Sequence, residues 1–221
     1  MIDFSKLIYL PLDIPNPPNV SDFFDSISYD EMIVDNYRTC FHIPVADENG
    51  NYSDVIKHCE DLLDWFENHI FTWADRSRMR IITTPPGESN AQHIDCSPKK
   101  FLTLQHKFRY VFRGDRTSLI FNHKDGDERI HDIDKCYMMD GKWPHEMINS
   151  TNDRKYTLTL GAPWEPQLSD KKYLELLERS YIKYKDYYMS SDEWQLPAGW
   201  KQLFHEKYTK ELDVLFDQGA S

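Results

Sequence analysis

Between residue 79 and about residue 164 the chain breaks into short β-favouring runs, and this rhythm constrains the fold more than any other feature. MRIITT, FLTLQH, RYVF, SLIFN, RIHDI, CYMM, EMINS and YTLTL follow one another, separated by PPGESN, RGDR, KDGDE, DGKWP and STND. Each run is rich in β-branched and aromatic residues, and each separator carries Gly, Pro, Asn or Asp, which supply the tight φ/ψ values of turns. Runs this short, with a turn roughly every 8–12 residues, leave no room for crossover helices. They predict an antiparallel sandwich or barrel. Within it, SLIFNHKDGDERIHDI reads as a hairpin, because KDGD places a residue tolerant of positive φ at its centre.

The flanks have a different texture. The first twenty residues carry Pro11, Pro15, Pro17 and Pro18 and predict an extended arm over the surface. YRTCFHIPV (37–45) reads as a short strand. Val55, Ile56, Cys59, Leu62, Leu63, Phe66, Ile70 and Trp73 recur at helical spacing and predict one helix over 53–74, with Ser53 as its N-cap. Beyond Pro166, segments 170–188 and 199–216 again show helical spacing, broken by LPAG. The expected architecture is one mainly β domain with flanking helices: 1–78 as arm and helix, 79–166 as the β core, and 167–221 as C-terminal helices.

At 221 residues, 40% of them hydrophobic and 29% charged, the chain has an ordinary globular balance. No apolar run reaches the roughly 18 residues of a membrane span, and the N-terminus lacks the basic start and cleavage site of a signal peptide. A cytoplasmic protein is therefore expected. A net charge of −11 argues against nucleic acid or an anionic membrane as partner, since both need a basic face. Cys40, Cys59, Cys96 and Cys136 show no CxxC spacing and read as reduced thiols, Cys96 standing next to a candidate ligand.

That candidate is Asp95, in QHID. On a strand, residues i and i+2 share a face, so His93 and Asp95 can offer an imidazole nitrogen and a carboxylate oxygen to one ion. His145, from a distant strand, would complete a 2-His-1-carboxylate set, which leaves three positions open on iron(II). With nine histidines an HxD pair also arises by chance, and a second stands at His123–Asp125. That pair lies in the KDGD turn, where solvation is the simpler role. His58 and Glu60 sit on the predicted helix, where i and i+2 diverge and cannot chelate together. Nine residues after His145, Arg154 opens the strand KYTLTL on what reads as the neighbouring hairpin arm. A guanidinium pointing inward there calls for an anionic partner such as a carboxylate. Arg109, Arg113 and Arg116 are further candidate carboxylate binders, with a solvated charged face as their default. Trp143 and Pro144 could shape a pocket mouth beside His145, and Trp164 reads as core.

PPGESNAQHID, then His145 fifty residues after Asp95, then HEMINSTNDRKYTLTLGAPW, resembles the iron(II)/2-oxoglutarate-dependent oxygenase superfamily. More narrowly it resembles the aspartyl/asparaginyl β-hydroxylase-like branch that includes proline cis-4-hydroxylase-like enzymes. The resemblance covers residues 79–166 and implies a double-stranded β-helix, the jelly roll of cupins. It implies Fe(II) at His93, Asp95 and His145, the distal carboxylate of 2-oxoglutarate at Arg154, O2 as oxidant and ascorbate as an optional reductant. The branch expects an Arg-x-His pair about ten residues after the first ligand. Here the stretch reads KKFLTLQHKFR, leaving Lys100, Thr103, Gln105 and His106 as candidates for the rest of the co-substrate pocket. The implied reaction is hydroxylation of a free or peptidyl amino acid. Two other classes compete: a cupin-like metal-binding protein without oxygenase activity, and a zinc hydrolase with Glu146 as its base. A strand at His145 would turn Glu146 to the opposite face.

Overall fold

The computed structural model describes residues 4–6, 8–34, 40–90, 92–95, 103–116, 119–123, 126–129, 134–142, 145–161 and 163–185. Its ten strands are β1 (Tyr9–Pro11), β2 (Ile33–Val34), β3 (Phe41–Ala46), β4 (Met79–Thr84), β5 (His106–Arg113), β6 (Leu119–His123), β7 (Gly126–Arg129), β8 (Tyr137–Asp140), β9 (His145–Met147) and β10 (Lys155–Leu160). They form a seven-stranded sheet, ordered β1-β8-β5-β10-β4-β3-β2, and a three-stranded sheet, ordered β7-β6-β9. Every pairing is antiparallel. Isolated bridges Ser89–Ile148 and His93–His145 lay the segment after β4 along the free edge of β9. The result is the mainly β, jelly-roll architecture with flanking helices that the turn rhythm and the resemblance imply.

Alternation along the strands divides the large sheet into two faces with different work. Phe108 and Tyr110 of β5, Leu158 and Leu160 of β10, and Met79 and Ile81 of β4 join the main core with Leu62, Phe66, Leu176 and Leu177 of the helices. The opposite face meets the small sheet through Tyr9, Val111, Tyr137 and Met139 against Leu119, Phe121 and Met147. Apolar packing between the sheets is thus concentrated on the β1-β8-β5 side. On the β4-β10-β5 side the inward positions are mainly polar, Ile82 apart, and there the site lies.

Several expectations are corrected here. The N-terminal arm is not a surface strap: Tyr9–Pro11 pairs with β8, and Leu10 and Leu12 are fully buried. It leads to α1 (Ser21–Ser26) and is held further by α3 (Lys171–Tyr184), where the Asp13 N–H donates to Ser180 Oγ at 2.8 Å. The helix expected over 53–74 is broken into a 3-10 turn (Ile56–His58), α2 (Glu60–Trp65) and a π turn (Phe66–Ile70). Cys59, at φ −106° and ψ 67°, interrupts it, yet the apolar stripe still faces the core. The expected strand FLTLQH is reached only at His106, and Thr103 to Gln105 are irregular. The hairpin of β6 and β7 forms, with His123 opposite Gly126, while Lys124 and Asp125 lie outside the described residues. So do Cys96, Lys100, Trp143, Pro144 and the segment 199–216. Trp164 is core, packed on Trp73 and Tyr173.

Candidate metal centre

His93 and His145 face each other across a two-strand bridge. Each backbone N–H donates to the other's carbonyl at 2.9 Å, the pairing that puts opposed side chains on one face. Asn90 keeps the strands in register: its Oδ1 accepts from the Met147 N–H at 2.7 Å, and its own N–H donates to the Met147 carbonyl. On β9 the phase of His145 is that of Met147, a member of the inter-sheet core, so the imidazole enters the space between the sheets. The two rings stand 4.4 Å apart, centroid to centroid.

Asp95 completes the group from the same segment as His93, two residues on, with its N–H donating to the Gly141 carbonyl. Its Oδ1 lies 3.3 Å from His93 Nε2 and its Oδ2 3.6 Å from His145 Nε2. One donor atom from each of the three falls within 4.8 Å of the others. Two imidazoles and a carboxylate around one point suit a divalent first-row ion and leave part of its sphere open. Burial pushes the Asp95 carboxyl up. His93, the Arg109 guanidinium and His145 outweigh that and hold it well below the usual carboxylate range, so it is an anion ready to ligate.

The large sheet supplies a cationic wall. Arg109, on β5, donates from Nη2 to Asp95 Oδ2 at 2.9 Å and is only 4% exposed. Its Nε and Nη1 make no hydrogen bond among the described residues, nor does the buried hydroxyl of Tyr137, its cross-strand neighbour. Burial raises the Tyr137 hydroxyl to about 12, with Arg109 opposing, so it stays a neutral donor. On β10, Lys155 is 1% exposed, and its Nζ donates to the carbonyls of Asp115 and Ile148 at 3.1 and 3.2 Å. Burial lowers the Lys155 ammonium to about 7. Asp115 opposes that shift and Arg109 adds to it. Gly114, at φ +108°, gives Lys155 its room, since a Cβ there would come within 2.7 Å of the lysine Cβ.

Arg154 does not share this space. Lys155 and Thr157 point inward, so Arg154 falls in phase with Tyr156 and Leu158, on the face packed by the N-terminal segments. Its guanidinium lies 4.6 Å from the centre of the Tyr29 ring and donates to the Tyr29 hydroxyl. Expecting Arg154 inward was an error of one residue in strand phase, and the inward cation of that strand is Lys155. Thr103 and Gln105 are also placed elsewhere. Thr103 is exposed, and the Gln105 amide donates to Thr103 Oγ1 and the Leu104 carbonyl. His106 lies on the helical face, with its Nδ1 2.7 Å from the Tyr173 hydroxyl. Arg113 pairs with Asp25 on that face as well. Glu146 points out of the inter-sheet space, as strand alternation requires.

Arg109, Tyr137 and Lys155 are what sequence reading missed as a set. Arg109 had been weighed only as one of three arginines, and no local pattern distinguishes a lysine that faces into a barrel from one that faces out. The signal available was alternation counted from the apolar residues Tyr156, Leu158 and Leu160.

No family model and no curated protein matches the chain. Among solved structures it is similar to a prolyl-4-hydroxylase of Pseudomonas putida at 13% identity, covering 71% of this chain and 92% of that one, with a TM-score of 0.46. A 2OG-Fe(II) oxygenase family protein of Burkholderia pseudomallei is similar at 11% identity, over 63% and 74% of the two chains, with a TM-score of 0.42. A prolyl hydroxylase of Trichoplax adhaerens, solved in complex with a hypoxia inducible factor peptide fragment, is similar at 14%, over 75% and 78%, with a TM-score of 0.42. At such scores the functional reading rests on the site itself.

Proposed function

We propose that the protein is a non-haem iron(II), 2-oxoglutarate-dependent oxygenase that hydroxylates an amino acid, free or within a peptide. The observation that carries this reading is the convergence of His93, Asp95 and His145 between two sheets, with buried cations on the facing wall. Burying an arginine and a lysine on the wall that faces the metal costs free energy, which an anionic co-substrate bound at the metal would help to offset. That consideration also separates this reading from a cupin-like binding protein.

His93, Asp95 and His145 would hold the ion, and Arg109 fixes the Asp95 carboxylate in place through its 2.9 Å contact. Iron(II) with 2-oxoglutarate and O2 supplies the oxidising power, the co-substrate leaving as succinate and CO2. Lys155 is proposed to pair with the distal carboxylate, exchanging the carbonyls of Asp115 and Ile148 for a charged acceptor. The Tyr137 hydroxyl would donate to the same anion. The surrounding apolar side chains, Val111 and Phe121 among them, exclude water and strengthen both contacts.

Anaerobic titration of 2-oxoglutarate into the iron(II)-loaded protein tests the reading. A weak visible absorption band from the chelate is expected. A fully loaded protein that shows no band overturns the assignment.

A further inference from the structure

The inner face of the large sheet extends past the metal site. Residues paired across neighbouring strands share a face, so the inward row of Thr157 and Ile82 continues through His42 of β3 to Ile33 of β2. Pro44 lies on the same face, opposite Arg80. The second layer does not follow the sheet that far. Beside Asp95, a recess of about 160 Å3 is lined by His42, Arg80, Ile82 and Arg109 among others. Next to it, a groove of about 360 Å3 is lined by Ile33, Pro44, Ala46 and Tyr52, and among the described residues neither the small sheet nor the segment carrying His93 lines it. Arg78 and Arg80 line both hollows, which therefore form one depression running outward from Asp95, across β4 and β3, to the edge strand β2.

The polar groups of the groove are already engaged with the protein. Arg80 Nη1 lies 3.0 Å from His42 Nδ1, and Arg78 pairs with Glu48 at 3.4 Å. Asp47 accepts from the Asn49 and Asn51 N–H groups, and Ser53 Oγ donates to the Pro44 carbonyl. What remains for a ligand is apolar surface, with Ile33 standing 45% exposed at the end of the sheet. A free amino acid at the metal fills the recess and leaves this surface bare. A longer chain covers both. Two strand spacings, about 10 Å, separate β4 from β2, and an extended chain crosses that distance in about three residues. We propose that the substrate is a peptide, which places its reacting residue in the recess beside Asp95 and lays an apolar side chain, about three positions away, in the groove over Ile33 and Pro44. Calling the peptide a substrate rests on the oxygenase reading; the groove as a peptide site does not.

The test begins with the full chain, metal-free, panned against a displayed library of random peptides about nine residues long. Peptides carrying an apolar residue should be enriched. A synthetic copy of the best should bind at least about tenfold more tightly than the same peptide with that residue changed to Asp. Ile33→Asp should lose the peptide by a similar factor. Val34→Asp, one residue on and turned to the opposite face, should bind it like the parent. Both side chains are exposed, so both variants should melt like the parent. With iron(II), 2-oxoglutarate and O2, the peptide should raise succinate release at least about tenfold in the parent and in Val34→Asp, and not in Ile33→Asp. The proposal is overturned if no peptide is enriched, if Ile33→Asp binds as the parent does, or if the two variants weaken binding equally. It is equally overturned if a protein that shows the chelate band binds the peptide without added succinate release. Self-association of the parent in sedimentation that Ile33→Asp abolishes would overturn it too, since a second copy would then occupy the groove. A missing chelate band with Ile33-dependent peptide binding intact would remove the oxygenase reading and leave the peptide site standing.

Discussion

At the residue scale, the decisive contrast is between adjacent side chains of opposite phase. Arg154 stacks on Tyr29 at the outer face, whereas Lys155 is buried between the sheets. Lys155→Ala should weaken 2-oxoglutarate binding to the iron(II) protein by roughly tenfold or more, read from the chelate band, and Arg154→Ala should leave it unchanged. Lys155 also gives a pH signature. Its folded value near 7 lies below the unfolded 10.5, so between these values the unfolded chain holds a proton that the folded one has released. Stability should therefore rise with pH across that window, and denaturant melts of Lys155→Met should lack this component. Binding an anion demands the protonated form, so 2-oxoglutarate affinity should fall by up to about tenfold per pH unit above pH 7, in the parent and not in Lys155→Met.

Elements carry the site in two ways. The small sheet sets the distance between the histidines through the reciprocal backbone bonds of His93 and His145, and Asn90 is the side chain that secures them. Asn90→Ala leaves the buried Met147 N–H without that acceptor. It should cost about 1–3 kcal/mol in urea unfolding and lower iron affinity at the same time. The helices act from the other face. Asp170 caps α3 by accepting from the Lys172 and Tyr173 N–H groups, and Leu176 and Leu177 are buried beneath it. Leu177→Ala should cost ~2–5 kcal/mol of stability without changing iron affinity, since His93, Asp95 and His145 all lie outside the described helices. A parallel loss of iron binding would show that the helical layer determines the site geometry.

For the whole molecule, two sheets enclose an apolar half and a polar half, and the polar half is energetically unfavourable until its ions arrive. Asp95, Arg109, Lys155 and Lys107 are all buried or nearly so in one neighbourhood. Anaerobic addition of iron(II) should raise the melting temperature by an amount that grows with the logarithm of free metal above its dissociation constant. His93→Ala and His145→Ala should abolish that rise. If both variants respond to iron like the parent, the metal binds elsewhere.

What could be read from the chain alone followed from local rules. Turn chemistry gave the spacing of the strands, and the i, i+2 rule put His93 and Asp95 on one face. The resemblance of two separated motifs added His145. Local rules stopped where a decision depended on the partner strand. Whether Arg154 or Lys155 faces inward is set by the register of β10 between β4 and β5, not by its own composition. The arm around Tyr9 became an edge strand because β8 had a free edge to pair, and the helix over 53–74 is interrupted at Cys59 while its apolar stripe stays packed in the core. Arg109 and Lys155 acquired their places only when the barrel closed, because a charged side chain has no fixed meaning in a sequence until burial sets its dielectric and its neighbours.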